Sequence, residues 1–196
     1  MTADAPRSYY SEGLIEEAVQ ENQRKLAGEP GNHLLRCSLA NGLVRLGRFE
    51  EAIEHYQKCI ELSPNSEYWN NLGKALLNAG RYQEAVDAFA RVIEKNRWPD
   101  AFFHQAQAYR SLGILEKAND QLCEAIKLNP KYREALNERA HILEALNRKD
   151  EALNEYKKVI ALFFAEYQAQ DAEDYCYETS VLLDNNDLGL VFSKEE

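Results

Sequence analysis

The chain repeats one short signal at a nearly constant period. Four glycines and one asparagine recur at steps of 34, 33, 33 and 34 residues, and an alanine follows each of them by five residues. These two sets are Gly13, Gly47, Gly80, Gly113 and Asn147, and Ala18, Ala52, Ala85, Ala118 and Ala152. A period near 34 residues predicts a solenoid in which each repeat is a helical hairpin stacked on its neighbours. Such a chain is expected to bind along an extended face rather than to enclose a catalytic core.

Each period reads as two amphipathic helices separated by a turn. Between residues 33 and 64, leucines recur at helical spacing before Gly47, and a second apolar stripe runs from Phe49 to Ile60. Glycine suits the left-handed turn that ends the first helix, and Asn147 is a common substitute. Prolines 30, 64, 99 and 130 are predicted to mark the joints between hairpins. Small residues are expected to let the helices approach closely, at Ala40, Gly73, Ala106 and Ala140.

The units resemble tetratricopeptide repeats. In the second unit the family pattern is carried by Trp69, Leu72, Gly73, Leu76, Gly80, Tyr82, Ala85 and Phe89. The resemblance covers residues 31–164 as four repeats and implies an all-α, right-handed superhelical solenoid of antiparallel helix pairs. Gln105 and Arg139 stand where the family has apolar residues, and Lys149 replaces an aromatic residue. We therefore expect the last repeats to pack less tightly.

Segments of different character flank the four repeats. Residues 1–30 are predicted to form an N-terminal segment whose helix, at 13–28, stacks on the first unit. After the fourth unit, small apolar residues trace a narrow stripe that predicts a capping helix at 165–184, because an end repeat needs a polar outer face. Residues 185–196 are predicted to form an acidic tail.

The net charge of −10 is concentrated at the end of the chain. Residues 165–196 contain nine acidic residues and one lysine, net −8, which leaves −2 for the first 164 residues. This distribution disfavours nucleic-acid binding and attachment to an anionic membrane surface, because both require a basic surface. No apolar run approaches the roughly 20 residues of a membrane span, and the first residues lack the features of a secretory signal. We expect a cytoplasmic protein that does not insert into a membrane.

Residue types that carry catalysis or metal binding are dispersed. Cysteines and histidines form no CxxC pair or ligand cluster; they are Cys37, Cys59, Cys123, Cys176, His33, His55, His104 and His141. We expect reduced, half-buried thiols and no metal site. The acidic pairs Glu16–Glu17, Glu50–Glu51 and Asp150–Glu151 are expected at helix starts, where negative charge complements the helix dipole. Without a phosphate-binding loop or nucleophile motif, the sequence predicts no enzymatic activity and no cofactor.

The resemblance implies that a protein or peptide ligand lies along the face formed by the first helix of every unit. The residues expected to line it are Cys37, Asn41, Val44, Arg45, Asn70, Asn71, Lys74, Leu77, Asn78, Phe103, His104, Gln107, Arg110, Asn137, Glu138, His141 and Glu144. Amides can bond the backbone of an extended peptide, and Phe103 and Leu77 are expected to act as apolar anchors. A merely hydrophilic wall is the alternative interpretation.

One ligand class is disfavoured. Chaperone-binding members of the family grip a C-terminal carboxylate with two asparagines, two lysines and an arginine. Asn41 and Asn71 match the asparagines, but Cys37, Asp100 and His104 stand where the cations belong. Because an aspartate repels a carboxylate, we predict that this chain does not bind heat-shock-chaperone tails.

Two other readings stay open. The chain could self-associate through its end repeats into a homo-oligomer, since aromatic residues cluster near the end of the solenoid: Phe163, Phe164, Tyr167, Tyr175 and Tyr177. The same residues could instead seat the capping helix. In a third hypothesis, the tail folds into a groove as an autoinhibitory or partner-docking strip, with Leu188, Leu190, Val191 and Phe192.

Overall fold

The computed structural model describes residues 5–166, and side chains for residues 13–164. Over this range the chain forms nine helices and no strand, each helix packing on the next. They are α1 (Ala5–Gly28), α2 (His33–Arg45), α3 (Phe49–Leu62), α4 (Ser66–Asn78), α5 (Tyr82–Asn96), α6 (Pro99–Ser111), α7 (Leu115–Leu128), α8 (Arg133–Ala145) and α9 (Lys149–Glu166). The predicted all-α solenoid of helix pairs is confirmed. Beyond residue 166, the remainder of the predicted cap and the tail lie outside the described residues.

The predicted turns within the hairpins have the expected backbone. Gly47, Gly80 and Gly113 adopt φ values of 72°, 77° and 76°, and Asn147 adopts 59°. Glycine reaches this left-handed region without steric cost, and asparagine tolerates it better than most other residues do. The turn prediction is therefore confirmed at four of its five positions.

The fifth position, Gly13, behaves differently. α1 begins at Ala5 and continues to Gly28, so Gly13 lies inside a helix rather than in a turn. Glu16–Glu17 consequently lie mid-helix, and their predicted place at a helix start is wrong. The other acidic pairs do lie in first turns, in α3 and α9. A glycine inside a helix costs only about 1 kcal/mol relative to alanine, which helical neighbours can offset.

Close helix packing occurs at the predicted small residues. A β-carbon added to Gly73 would lie 2.7 Å from two atoms of the fully buried Phe89 ring. Ala40, Ala106 and Ala140 have no exposed surface. The apolar core forms two clusters that meet at α6, one reaching back to α1 and the other extending to α8.

Two of the polar residues that stand where the family has apolar residues form hydrogen bonds or ion pairs with buried groups. Gln105 is 5% exposed, and its Nε2 donates to the carbonyl oxygen of Val86 at 2.9 Å. Arg139 forms a 2.6 Å ion pair with Glu155, and the two side chains are 16% and 5% exposed. Arg139 Nε also donates to Asn119 at 3.1 Å. The looser packing expected in the last repeats stays a prediction.

Candidate partner-binding site

All residues predicted to line the binding face lie on the first helix of a hairpin. Asn41 and Arg45 belong to α2, Asn70 to Asn78 to α4, Phe103 to Arg110 to α6, and Asn137 to His141 to α8. We call this surface the inner face, with the residues listed in the sequence analysis. Helical periodicity brings residues three and four apart onto the same side of each helix.

Cross-helix contacts join successive parts of the inner face. Asn71 of α4 lies near the thiol of Cys37 on α2 and helps to lower the pKa of that thiol. The charge of Lys74 acts on the ring of His104, on α6. Further along, Arg110 of α6 forms a 2.7 Å ion pair with Glu138 of α8. These three links place predicted residues from all four helices on one continuous surface.

The side-chain amides of the inner face differ in the hydrogen bonds that they make within the protein. Asn41 accepts a 2.5 Å hydrogen bond from the Tyr56 hydroxyl, and Gln107 Oε1 lies 3.0 Å from His104 Nδ1. The buried Oδ1 of Asn70 has no hydrogen-bond partner among the side chains that the structure describes. Unpaired buried acceptors are uncommon in native proteins, and this sets Asn70 apart from Asn41 and Gln107.

The two expected apolar anchors occupy different environments. Phe103 is only 9% exposed and packs on Tyr132 and His104, with ring centroids 5.2 and 5.3 Å away. It therefore forms part of the floor of the inner face. Leu77 is half-buried against the core and keeps part of its side chain at the surface.

The two histidines of the inner face have separate surroundings. His104 stacks on Phe89, with centroids 5.7 Å apart. Burial lowers the pKa of His104, although the bond to Gln107 opposes this shift, so its ring is neutral at pH 7. His141 is exposed and lies 3.0 Å from the Tyr156 hydroxyl. Within the described residues, no group of three or more potential ligands could hold a metal ion.

The thiol of Cys37 on the inner face lies near the thiol of Cys59 on α3, and the sequence analysis did not predict this proximity. Cys37 and Cys59 are 22 residues apart in the sequence, yet each shifts the pKa of the other, and the Cys59 thiol donates to the carbonyl oxygen of His33 at 3.4 Å. The neighbouring Cys59 thiol, helped by Asn71, lowers the pKa of Cys37, whereas Cys37 and burial raise the pKa of Cys59. Repeat register offered a signal, because Cys59 takes the place of the buried Val92 and Ala125 in later units. As predicted, Cys37 is half-buried, but Cys59 is fully buried.

Stacked helical hairpins presenting one continuous polar face define a repeat protein of the solenoid class. The family model for the tetratricopeptide repeat matches residues 37–101, 72–126 and 103–169, and the chain belongs to this family. No helix within the described residues is long and apolar enough to span a membrane.

Several relatives share this organisation. The chain is 26% identical over 163 residues to an Hsp70-Hsp90 organising protein of Plasmodium falciparum, an alignment covering 76% of this chain and 52% of the relative. A tetratricopeptide repeat-containing protein of Pseudomonas aeruginosa is 42% identical over 58 residues, covering 29% of this chain and 55% of the relative. The chain thus spans about half the length of these relatives.

Solved structures of MamA have the same fold. One is 24% identical with a TM-score of 0.74, covering 85% of this chain and 100% of that chain. MamA from Desulfovibrio magneticus RS-1 is 20% identical with a TM-score of 0.74, covering 84% and 93%. At this identity the likeness concerns the fold alone.

Proposed function

We propose that this chain is a non-enzymatic interaction module, a scaffold or adaptor that holds a segment of a partner protein on its inner face. The observation that carries the proposal is the continuity of that face across α2, α4, α6 and α8. A row of amides on a rigid helical layer matches the repeating donors and acceptors of an extended backbone.

The chemistry of the face suits moderate affinity. A hydrogen bond to an amide contributes roughly 1 kcal/mol net, so several are needed along a bound segment. Leu77 supplies apolar contact in the middle of the row, and Asn70 and Asn71 precede it on α4 by seven and six residues, just under two turns. We favour an orientation in which the bound segment runs across α2, α4, α6 and α8, the first helices of the four hairpins.

A native-lysate pull-down tests the proposal. The bait variant Asn71→Ala with Lys74→Ala removes an amide and a cation from the inner face. Its matched control, Gln57→Ala with Lys58→Ala, removes the same chemistry from exposed positions on α3. A partner lost by the first variant and kept by the control, with unchanged circular dichroism and Tm, supports the proposal. A partner kept equally by both variants contradicts it.

Chaperone tails are not among the ligands we propose. One relative is named an Hsp70-Hsp90 organising protein. In this chain, however, Cys37 and Asp100 replace cations of the family's carboxylate grip, and His104 is neutral rather than charged. We expect a peptide with a free C-terminal carboxylate to bind no better than its amidated form, as fluorescence anisotropy would show.

Self-association is the second candidate function. Each end of the described solenoid carries a large exposed apolar side chain: Leu14 on α1 is 68% exposed, and Phe164 on α9 is 38% exposed. Contact between unlike ends is heterologous and builds open chains unless it closes. Light scattering coupled to size-exclusion chromatography would detect a mass above 22.5 kDa. Leu14→Glu would restore the monomer if the ends associate, and an unchanged mass would count against this candidate.

A further inference from the structure

The first hairpin, α2 and α3, brings two cysteine side chains together at one place. The Sγ of Cys59, near the end of α3, donates to the carbonyl oxygen of His33 at 3.4 Å. In an α-helix that carbonyl also accepts from the amide of the residue four positions later, which is Cys37. Because helical side chains lean towards the preceding turn, the Cys37 thiol covers the turn of α2 that the Cys59 thiol contacts. The two sulfur atoms are therefore neighbours across the hairpin.

The electrostatics around the two thiols agrees with this geometry. The neighbouring Cys59 thiol lowers the pKa of Cys37, against the opposing effects of burial and of Glu67. Burial raises the pKa of Tyr56 on α3 and of Tyr68 on α4, and the charges of both cysteines raise it further. A thiol with a lowered pKa is more often present as the thiolate, which is the form that reacts with oxidants.

The two thiols differ in their access to solvent. Cys37 is half-buried and lies on the inner face, whereas Cys59 has no exposed surface. An oxidant in solution therefore reaches Cys37 first, and the protected Cys59 remains a thiol beside the oxidised sulfur. An accessible cysteine next to a second, resolving cysteine is the arrangement typical of redox-sensing pairs.

Hairpin packing does not require sulfur at either position. The residues in register with Cys37 in the later hairpins are Asn70, Phe103 and Asn137, and those in register with Cys59 are Val92, Ala125 and Val159. No later repeat has a cysteine at either position, and aliphatic side chains fill the second position in all three. The thiol pair is thus a property of the first hairpin and not of the repeat.

We propose that Cys37 and Cys59 are a redox-sensitive pair that a peroxide converts to a disulfide, which ties α2 to α3. The Cys37 sulfur takes one oxygen of hydrogen peroxide as the O–O bond breaks, and its thiol proton leaves with the other oxygen as water. The Cys59 sulfur then attacks the resulting sulfenic acid, so that the S–S bond forms, the S–O bond breaks and a second water leaves with the proton of Cys59. The sulfur pair loses two electrons, the peroxide gains them, and a thiol reductant reverses the change.

The disulfide would join residues that are 22 positions apart along the chain. A bond of this kind stabilises mainly by restricting the unfolded chain, and we expect the oxidised protein to have a Tm about 5–10 °C higher. Disulfides in reducing compartments are usually transient and serve catalysis or redox sensing. The bond is therefore expected to form on exposure to peroxide, with both cysteines otherwise reduced.

The test uses the full-length chain with Cys123→Ser and Cys176→Ser, so that the two cysteines of the pair are its only thiols. After treatment with hydrogen peroxide, remaining thiols are alkylated in denaturant and the protein is analysed by mass spectrometry. We expect a monomer that has lost the mass of two hydrogen atoms, with residues 37 and 59 linked in the peptide map. Dithiothreitol should restore both thiols and the lower Tm.

The matched control adds Cys59→Ala, which gives the first hairpin the residue of the third, Ala125. It should stop at the sulfenic acid of Cys37, which dimedone traps. Cys37→Ser is a second control at a half-buried position, and it should leave Cys59 reduced.

Four results would overturn the proposal. One is Cys37 oxidised to a sulfinic acid while Cys59 can still be alkylated, and another is a disulfide that joins Cys37 of two copies. A third is a pair that stays reduced at a peroxide dose that fully oxidises free cysteine. The last is a linked pair with an unchanged Tm, because such a bond would not tie the hairpin.

Discussion

The buried ion pair between Arg139 and Glu155 permits a quantitative test of how the last hairpin is held together. Arg139→Leu restores the apolar residue type of the family at this position but leaves the Glu155 carboxylate, 5% exposed, without its 2.6 Å partner. Removing one member of a buried pair typically costs about 3–5 kcal/mol. Lys158 still lies 2.9 Å from the same carboxylate, so we expect the lower end of that range, about 3 kcal/mol.

Urea unfolding followed by circular dichroism measures this change. For a protein of this size, a loss of about 3 kcal/mol corresponds to a Tm lowered by roughly 6–12 °C. The double variant Arg139→Leu with Glu155→Leu removes both charges and should recover most of the stability, because neither charge is left buried and unpaired. Arg148→Leu is the control: its partner Glu151 is half-exposed, and such surface pairs contribute at most about 1 kcal/mol.

Two results would refute this reasoning. The first is a urea midpoint for Arg139→Leu that is no lower than that of Arg148→Leu. The second is a double variant as unstable as the single one, which would locate the loss in packing or in the Asn119 bond rather than in the stranded charge.

Three further predictions concern the core, the thiols and the tail. Gly73→Ala should lower the free energy of unfolding by about 1–2 kcal/mol net, because the new methyl group meets the Phe89 ring at 2.7 Å. Gly13→Ala meets no atom within 4 Å and should raise the free energy of unfolding by about 0.5–1 kcal/mol. Urea midpoints that shift in the same direction in both variants would contradict this prediction. Iodoacetamide should label Cys37 before the buried Cys59, with its higher pKa, as peptide mass mapping would show; equal rates would argue against the pairing. Deleting residues 185–196 should raise affinity for groove peptides if the tail occupies the groove, and unchanged affinity would dispose of that hypothesis.

The sequence predicted the hairpins well where the signal was local. A left-handed turn depends on one residue's backbone, so glycine or asparagine at the right period sufficed to locate Gly47, Gly80, Gly113 and Asn147. The same signal misled at Gly13, because periodicity alone does not report whether the preceding residues already form a helix. Residues 5–12 do, and the glycine is simply accommodated.

Helical periodicity predicted which residues lie on the inner face, but it did not predict the burial or the hydrogen-bond partners of each residue. Asn41 and Asn71 are the same residue type at similar places in their repeats, yet Asn41 accepts a hydrogen bond from the Tyr56 hydroxyl, whereas Asn71 lies near the Cys37 thiol and helps to lower its pKa. Phe103 was expected to be an anchor for a ligand and lies largely in the floor. Each difference depends on which side chain arrives from a neighbouring helix.

The sequence by itself determined the class of fold, the phase of the repeats and the helices that form the inner face, because these depend on residues close together along the chain. Only the tertiary structure decided the pairings: Cys37 with Cys59, and Arg139 with Glu155, separated by 22 and 16 residues. These residues are far apart along the chain, and the packing of one helix on the next determines which of them meet.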